Sequence, residues 1–460
     1  MAQVREQEVI VVGGGLVGSL LAILLADHGH RVTVYERRPD LRLAGSAGGR
    51  SINLVLTRRG IRALERVGLG EGALALTVPV LGRMMHSPAG ELVYQPYGKD
   101  DAECNHSIPR SGLNAFLVEA ARDRGVRFVF EARLDRADLD AGRLFFSTRE
   151  GETTVDAPVV FGTDGAGSAV REALRRDPGF EESVERLSHG YKELEIPAGD
   201  DGGFRIDGRA LHIWPRGDHM LMALPNRGGS FTVTLYMANA GERSFEKLAD
   251  AGAVSDLFAE SFADAVPLIP ALGDDFFANP TGMLGTVRCG PWHRGGRVML
   301  LGDAAHGIVP FFGQGMNSGF EDCSELADLL DEGGADWSGI FAELNRRRKP
   351  QTDAIADMAL ENFVEMSERV GDRRFLLRKA VEHRLEQEVP ALYRSRYSMV
   401  MYSHIPFAEC RAAGRIHAEI LDGLCAGIDD AAEVDMERAR RLIDRRLTPW
   451  LSSRGISLEY

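Results

Sequence analysis

The sequence predicts an α/β fold in which a parallel sheet carries a glycine-rich turn, joined to a sheet-rich second domain and a helical carboxyl-terminal region. Three observations predict it. An apolar run, Val9–Val12, leads directly into G-x-G-x-x-G at Gly13, Gly15 and Gly18. Two later apolar runs end in paired glycine and aspartate, at Asp164-Gly165 and Gly302-Asp303. Alternating segments such as FTVTLYM fill the middle of the chain, and charged helical stretches such as EVDMERARRLIDRRL close it.

At 460 residues the chain exceeds one hydrophobic core, so two or three domains are expected. A net charge of −14 argues against a nucleic-acid surface. The five cysteines are scattered without C-x-x-C spacing, which fits reduced thiols in a cytoplasmic protein. Met1–Gln7 reads as a short polar lead-in with no signal peptide. No apolar run approaches the roughly 20 residues that span a bilayer.

The amino-terminal elements follow in order. Val9–Val12 reads as a buried parallel strand, Leu16–Ala26 as a helix and Arg31–Tyr35 as the next strand. Gly13 permits a tight turn, Gly15 lets a pyrophosphate approach the backbone, and Gly18 lets helix and strand pack closely. Val17 lies within the turn, positioned to cover the phosphates. Glu36 ends the second strand, 18 residues after Gly18, where a carboxylate accepts hydrogen bonds from a ribose. Strand, helix, second strand and acid together predict dinucleotide binding. With no second fingerprint of this quality, one tightly held dinucleotide is expected.

The segment GRVMLLGDAAH places Asp303 at a strand end, where it can accept from a ribityl hydroxyl. Gly313 and Gly315 then precede a helix whose first amides, at Met316 and Asn317, can contact the pyrimidine side of an isoalloxazine. Phe311 and Phe312 stand beside that turn. VVFGTDGAGSAVREAL adds a third strand end at Asp164, followed by a helix with Arg171. These features favour FAD.

The three fingerprints resemble those of single-component flavin aromatic hydroxylases. Within that group GRSINLVLTRRGIRAL, RMMHSPAG, YQPYG, LHIWPRGDHMLMALPN and GDAAHGIVPFFGQGMNSGFEDC resemble the kynurenine 3-monooxygenase family, over about Val9–Tyr397. The resemblance implies a Rossmann-type FAD-binding domain and hydroxylation of L-kynurenine to 3-hydroxykynurenine, with NAD(P)H and O2, through a flavin hydroperoxide. It implies FAD contacts at Val17, Glu36, Arg37, Arg38, Val55, Arg110, Leu134, Asp303, Met316 and Asn317. It implies that Arg83 and Tyr97 hold the substrate carboxylate, with Asn362 and Tyr397 nearby. Candidates to grip the substrate ring are Leu211, Ile213, Met222 and Leu224, with Pro310 and Phe311. Strand alternation puts His212 and Trp214 on the opposite face. No side chain is assigned a catalytic role and no metal is expected, because the cofactor carries the hard step.

The expected FAD-binding domain is discontinuous, taking residues 1–65, 101–175 and 280–375. The substrate domain takes 66–100 and 176–279, and 376–460 forms the helical region. Membrane-bound relatives carry an apolar tail that RLTPWLSSRGISLEY lacks, so a cytoplasmic monomer or homodimer is expected. The competing readings are a hydroxylase of a modified kynurenine or other aryl amino acid, a flavin-dependent halogenase or reductase, and a non-catalytic FAD module. A halogenase is disfavoured by the lack of a W-x-W-x-I-P segment.

Overall fold

The computed structural model describes residues 7–40, 42, 53–333, 336–368 and 373–458. Residues 1–6, read above as a polar lead-in, lie outside them. The chain divides into two compact units. The first comprises Met1–Thr77, Ile108–Leu187 and Met283–Ala356; the second comprises Val78–Ser107, Ser188–Gly282 and Asp357–Tyr460.

The first unit is built on a six-stranded sheet. Its order is His293–Arg294, Val298–Leu300, Val159–Gly162, Glu8–Val12, Arg31–Glu36 and Arg127–Phe130. All pairings are parallel except the short edge strand His293–Arg294, which runs antiparallel. The central strands are continuous runs of Val, Ile, Leu and Phe because both faces are covered. The helix Leu16–Asp27 packs there with Leu20, Leu21, Ile23 and Leu25 fully buried. The helix Gly315–Asp331 adds Phe320, Cys323 and Leu326 to the same core.

In the second unit the part of the strand Glu181–Ile196 from Ser188 onward is followed in the sheet by Phe231–Ala238, Met220–Pro225, Ala210–Pro215, Gly82–His86 and Leu92–Pro96. Its faces differ because alternate residues point to opposite sides. Leu194, Trp214, Leu221, Ala223, Val233 and Leu235 form one face and bury against Val254, Phe258 and Phe262. The parallel register sets Arg83 beside Leu211, and the antiparallel register sets Ile213 beside Met222. These four residues and Leu224 therefore share the other face. The rest of this unit is largely helical, including Arg373–Glu388, Phe407–Leu424 and Met436–Arg446. Among the described residues no helix is long and apolar enough to cross a membrane.

Candidate functional site

In the first unit the three fingerprint glycines have separate structural reasons. Gly13 lies at φ +103°, and a Cβ there would sit 2.5 Å from the Thr163 carbonyl oxygen. A Cβ on Gly18 would lie 1.9 Å from the Gly13 carbonyl oxygen, so only glycine allows the helix to start this close to the turn. A Cβ on Gly15 would meet nothing within 4 Å. That glycine faces open space at the helix N-terminus, where free N–H groups and the helix dipole favour an anion. Val17 is half-buried against Gly302 and Gly319.

Glu36 is 5% exposed and accepts from the Gly14 N–H at 2.7 Å. Its other oxygen accepts from the backbone N–H and the Nε of Arg38, each at 2.9 Å. Burial pushes its pKa upward, but these donors outweigh it and the carboxyl lies below its ordinary value. Glu36 is thus a fixed anion at the mouth of a recess lined by Gly14, Arg38, Asn114, Val118 and Phe130. Arg37 is exposed beside it, and Arg110 is exposed at the start of the helix Arg110–Asp123. Leu134 is buried in the core of the unit.

Asp164 accepts from the Ser168 hydroxyl at 2.5 Å and the Ala169 N–H at 2.7 Å, at the start of the helix Ala169–Leu174 that Ser168 caps. Burial holds its pKa above the usual carboxylate range. Arg171, in that helix, is buried and paired with Glu182 at 2.8 Å.

The Gly302-Asp303 turn is fixed from below. Gly302 takes φ +59°, ψ −145°, a region open essentially to glycine alone. Its N–H donates to Asp322 Oδ2 at 3.1 Å. The same oxygen meets His306 Nε2 at 2.6 Å, and Asp322 Oδ1 accepts from Arg348 Nε at 2.9 Å. Arg348 also pairs with Glu321 at 2.6 Å, and Glu321 in turn with Arg59. Burial works against the Asp322 charge, but His306 and Arg348 hold its pKa below the ordinary value. Asp303 itself is exposed.

Asn317 ties the next turn together. Its amide donates to the Val55 and Gly313 carbonyls at 2.8 and 2.9 Å, and its oxygen accepts from the Thr57 N–H at 2.9 Å. The Gly315 and Met316 amides are left at the helix start. Pro310–Phe312 forms a short 3-10 turn, with Phe311 and Phe312 buried.

In the second unit Arg83, Tyr97 and Tyr397 come together. The two phenol rings stack with centroids 5.4 Å apart, and the Arg83 guanidinium carbon lies 5.3 Å from each ring centroid. Burial works against its charge, yet the two phenols beside it outweigh that and the net pKa is raised. Its buried Nε has no hydrogen-bond partner among the described residues. Among the described residues no carboxylate pairs with it. Tyr397 also accepts from the Asn105 amide at 2.8 Å. Asn362 sits half-buried on the helix Trp337–Glu368.

Sequence reasoning missed Asp322, Arg348, Asn114 and Asn105. The advance signal was the adjacent acidic pair Glu321-Asp322 within the helix Gly315–Asp331. His212 is buried in hydrogen-bonding contact with His86 at 2.9 Å, and His86 pairs with Asp264.

A parallel sheet with an open anion-binding helix start, a fixed acid at the second strand and a glycine-aspartate turn defines an FAD-binding protein. The FAD binding domain family model matches residues 6–333. The chain is 50% identical over 457 residues to kynurenine 3-monooxygenase of Myxococcus xanthus (strain DK1622), covering 98% of each chain. It is 45% identical over 427 residues to kynurenine 3-monooxygenase of Stenotrophomonas maltophilia (strain K279a), covering 92% of this chain and 94% of that one. The chain belongs to the kynurenine 3-monooxygenase family. Among solved structures, the tetrameric form of 2-methyl-3-hydroxypyridine-5-carboxylic acid oxygenase matches with a TM-score of 0.66 at 21% identity, covering 85% of this chain and 99% of that one. P. aeruginosa PqsL in complex with 2-aminobenzoylacetate matches at 0.63 and 22%, covering 79% and 98%. These two share the fold.

Proposed function

We propose that this chain hydroxylates L-kynurenine to 3-hydroxykynurenine, using FAD, NAD(P)H and O2. The observation that carries the substrate reading is Arg83, a half-buried cation beside two stacked tyrosines, whose buried Nε–H has no partner among the described residues. A guanidinium so placed calls for an anion, and a carboxylate matches its donor fork. Leu211, Ile213, Met222 and Leu224 share its sheet face and offer an aryl group an apolar surface. Such a site takes an amino acid with an aromatic side chain.

The first unit fits FAD. The open space at Gly15 suits a pyrophosphate, Glu36 a ribose, Asp303 a ribityl hydroxyl, and the amides of Met316 and Asn317 the flavin ring. Bound FAD supplies the redox chemistry, accepting reducing equivalents from NAD(P)H and activating O2. The chain's own residues bind, orient and exclude water. The substrate's ring amino group enriches the carbon beside it, so no side chain need act as a nucleophile. Arg83, with Tyr97 and Tyr397, fixes the amino-acid end and so sets which ring carbon is offered.

The test is NAD(P)H oxidation by the FAD-loaded enzyme with L-kynurenine, with the product analysed by mass. Stimulated oxidation and a product heavier by one oxygen atom are expected. Stimulation without that product, or none at all, would overturn the proposal. In Arg83→Met, loss of a charge-assisted contact worth about 1.5–3 kcal/mol predicts a KM raised on the order of 10- to 100-fold. An unchanged KM would remove Arg83 from the site.

A further inference from the structure

Resting on the FAD fit above, we infer that Asn114 is a positioning residue for the cofactor's pyrophosphate, holding the Gly14–Gly15 peptide so that the Gly15 N–H faces the anion. Asn114 is 6% exposed on the helix Arg110–Asp123 and lines the same recess as Gly14 and Glu36. Its Nδ2 donates to the Gly14 carbonyl at 3.0 Å, and the Ser19 hydroxyl donates to the same oxygen at 3.2 Å.

The turn is tied to the protein carbonyl by carbonyl. The Val12 oxygen accepts from the Thr163 N–H at 2.8 Å, the Gly13 oxygen lies 2.8 Å from the Thr163 hydroxyl, and the Gly14 oxygen has Asn114 and Ser19. Its amides are used in step. The Gly13 N–H donates to the Tyr35 carbonyl at 2.8 Å and the Gly14 N–H to Glu36 at 2.7 Å. The Gly15 N–H is the first with no protein acceptor among the described residues. A peptide group is planar and trans, so its C=O and N–H point in opposite directions. Pinning the Gly14 oxygen inward therefore turns the Gly15 N–H outward, where a phosphate oxygen can accept from it. Untethered, the same peptide could rotate and set its carbonyl toward the anion.

The two tethers differ in kind. Ser19 lies one turn into the helix that Gly15 opens, where a hydroxyl by itself can swing to the carbonyl four residues back. Asn114 reaches the turn from a separate helix, 100 residues from Gly14 in sequence. Its Nδ2 also lies 3.4 Å from the Ser19 oxygen, and a hydroxyl that accepts there keeps its own proton for Gly14. The helices Leu16–Asp27 and Arg110–Asp123 pack together within one core, with Leu113 and Leu117 fully buried, so the amide and the oxygen it grips are held as one piece.

ADP carries a pyrophosphate and adenosine does not, so comparing the two on full-length protein freed of flavin isolates this contact. Asn114→Leu keeps the bulk and removes the donor. Its Kd for FAD, read by flavin fluorescence, is expected to rise about 10-fold. In thermal melts at equal ligand concentrations, ADP should stabilise the parent more than adenosine does. That advantage should fall to about half or less in Asn114→Leu while the adenosine shift is unchanged. Ser19→Ala removes the lesser tether and fits the same space. It should show the same pattern with a Kd rise of about 3-fold, and it carries the test if the first variant does not fold. An FAD Kd within about 2-fold of the parent, or an ADP advantage kept in full, would show that Asn114 only packs and would overturn the inference. An ADP shift no greater than adenosine's in the parent would instead sink the placing of the pyrophosphate at this turn.

Discussion

Replacing Arg348 by methionine tests whether the charged cluster beneath the Gly302-Asp303 turn is one interdependent unit. Arg348 is 3% exposed and donates to Asp322, Glu321 and the Ser318 carbonyl at 2.9, 2.6 and 3.2 Å. Methionine fills most of the volume and removes every donor. Asp322 keeps His306 and the Gly302 N–H, and Glu321 keeps Arg59, but the buried cluster loses one positive charge. Removing one partner of a buried ion pair costs about 3–5 kcal/mol, because the remaining charge stays desolvated. At about 2–4 °C per kcal/mol for a unit of this size, the melting temperature should fall by on the order of 10 °C at neutral pH. The sign with pH is also fixed. In the parent, the depressed Asp322 pKa contributes stability above the ordinary carboxylate range, lost as pH falls through the folded value. In the variant, burial with fewer partners raises that pKa, so the penalty is greatest at neutral pH and eases as Asp322 takes up a proton. Thermal melts of both proteins between pH 7 and pH 5 measure the gap. A loss within about 1 kcal/mol at pH 7, or a gap that does not narrow toward acid, would refute the reasoning.

Gly18→Ala should yield protein that cannot retain FAD, read from the flavin absorbance of purified material, because its Cβ would lie 1.9 Å from a backbone oxygen that cannot yield. Gly302→Ala, forced into φ +59° and meeting Val17 at 3.0 Å, should cost about 1–3 kcal/mol and weaken flavin retention, measured by dialysis against apoprotein. His417 is 2% exposed, neither ring nitrogen has a hydrogen-bond partner among the described residues, and burial lowers its pKa to about 4. The unfolded chain therefore binds the extra proton between about pH 6.5 and pH 4, so stability should fall by up to about 3 kcal/mol as pH drops through that window. His417→Leu should flatten that slope in urea titrations.

The strand–turn–helix at Glu8–Asp27 was legible because its determinants are local. An apolar run, three glycines at fixed spacing and an acid at the next strand end each answer a steric or electrostatic need within some 30 residues. Strand alternation likewise separated Leu211 and Ile213 from His212 and Trp214, since period two follows from the pleat. Arg83, Tyr97 and Tyr397 were named from family resemblance, and spacing alone could not have joined residues so far apart. Asp322 was visible only as half of an acidic pair, with nothing to say what it meets. A carboxylate in a helix reads as solvent-facing until the elements carrying Arg348, His306 and Gly302 converge on it.

By itself, then, the amino-acid order determined an α/β FAD-binding chain, the positions where only glycine fits, and the acid that ends the second strand. These are short-range requirements, and a chain cannot hide them. The tertiary structure alone decided which charges neutralise each other in the interior and which donor stays unpaired. Asn105 meets Tyr397 across 292 residues, and Arg348 meets Asp322 across 26. Such partnerships depend on desolvation, which no residue experiences until the fold has closed around it.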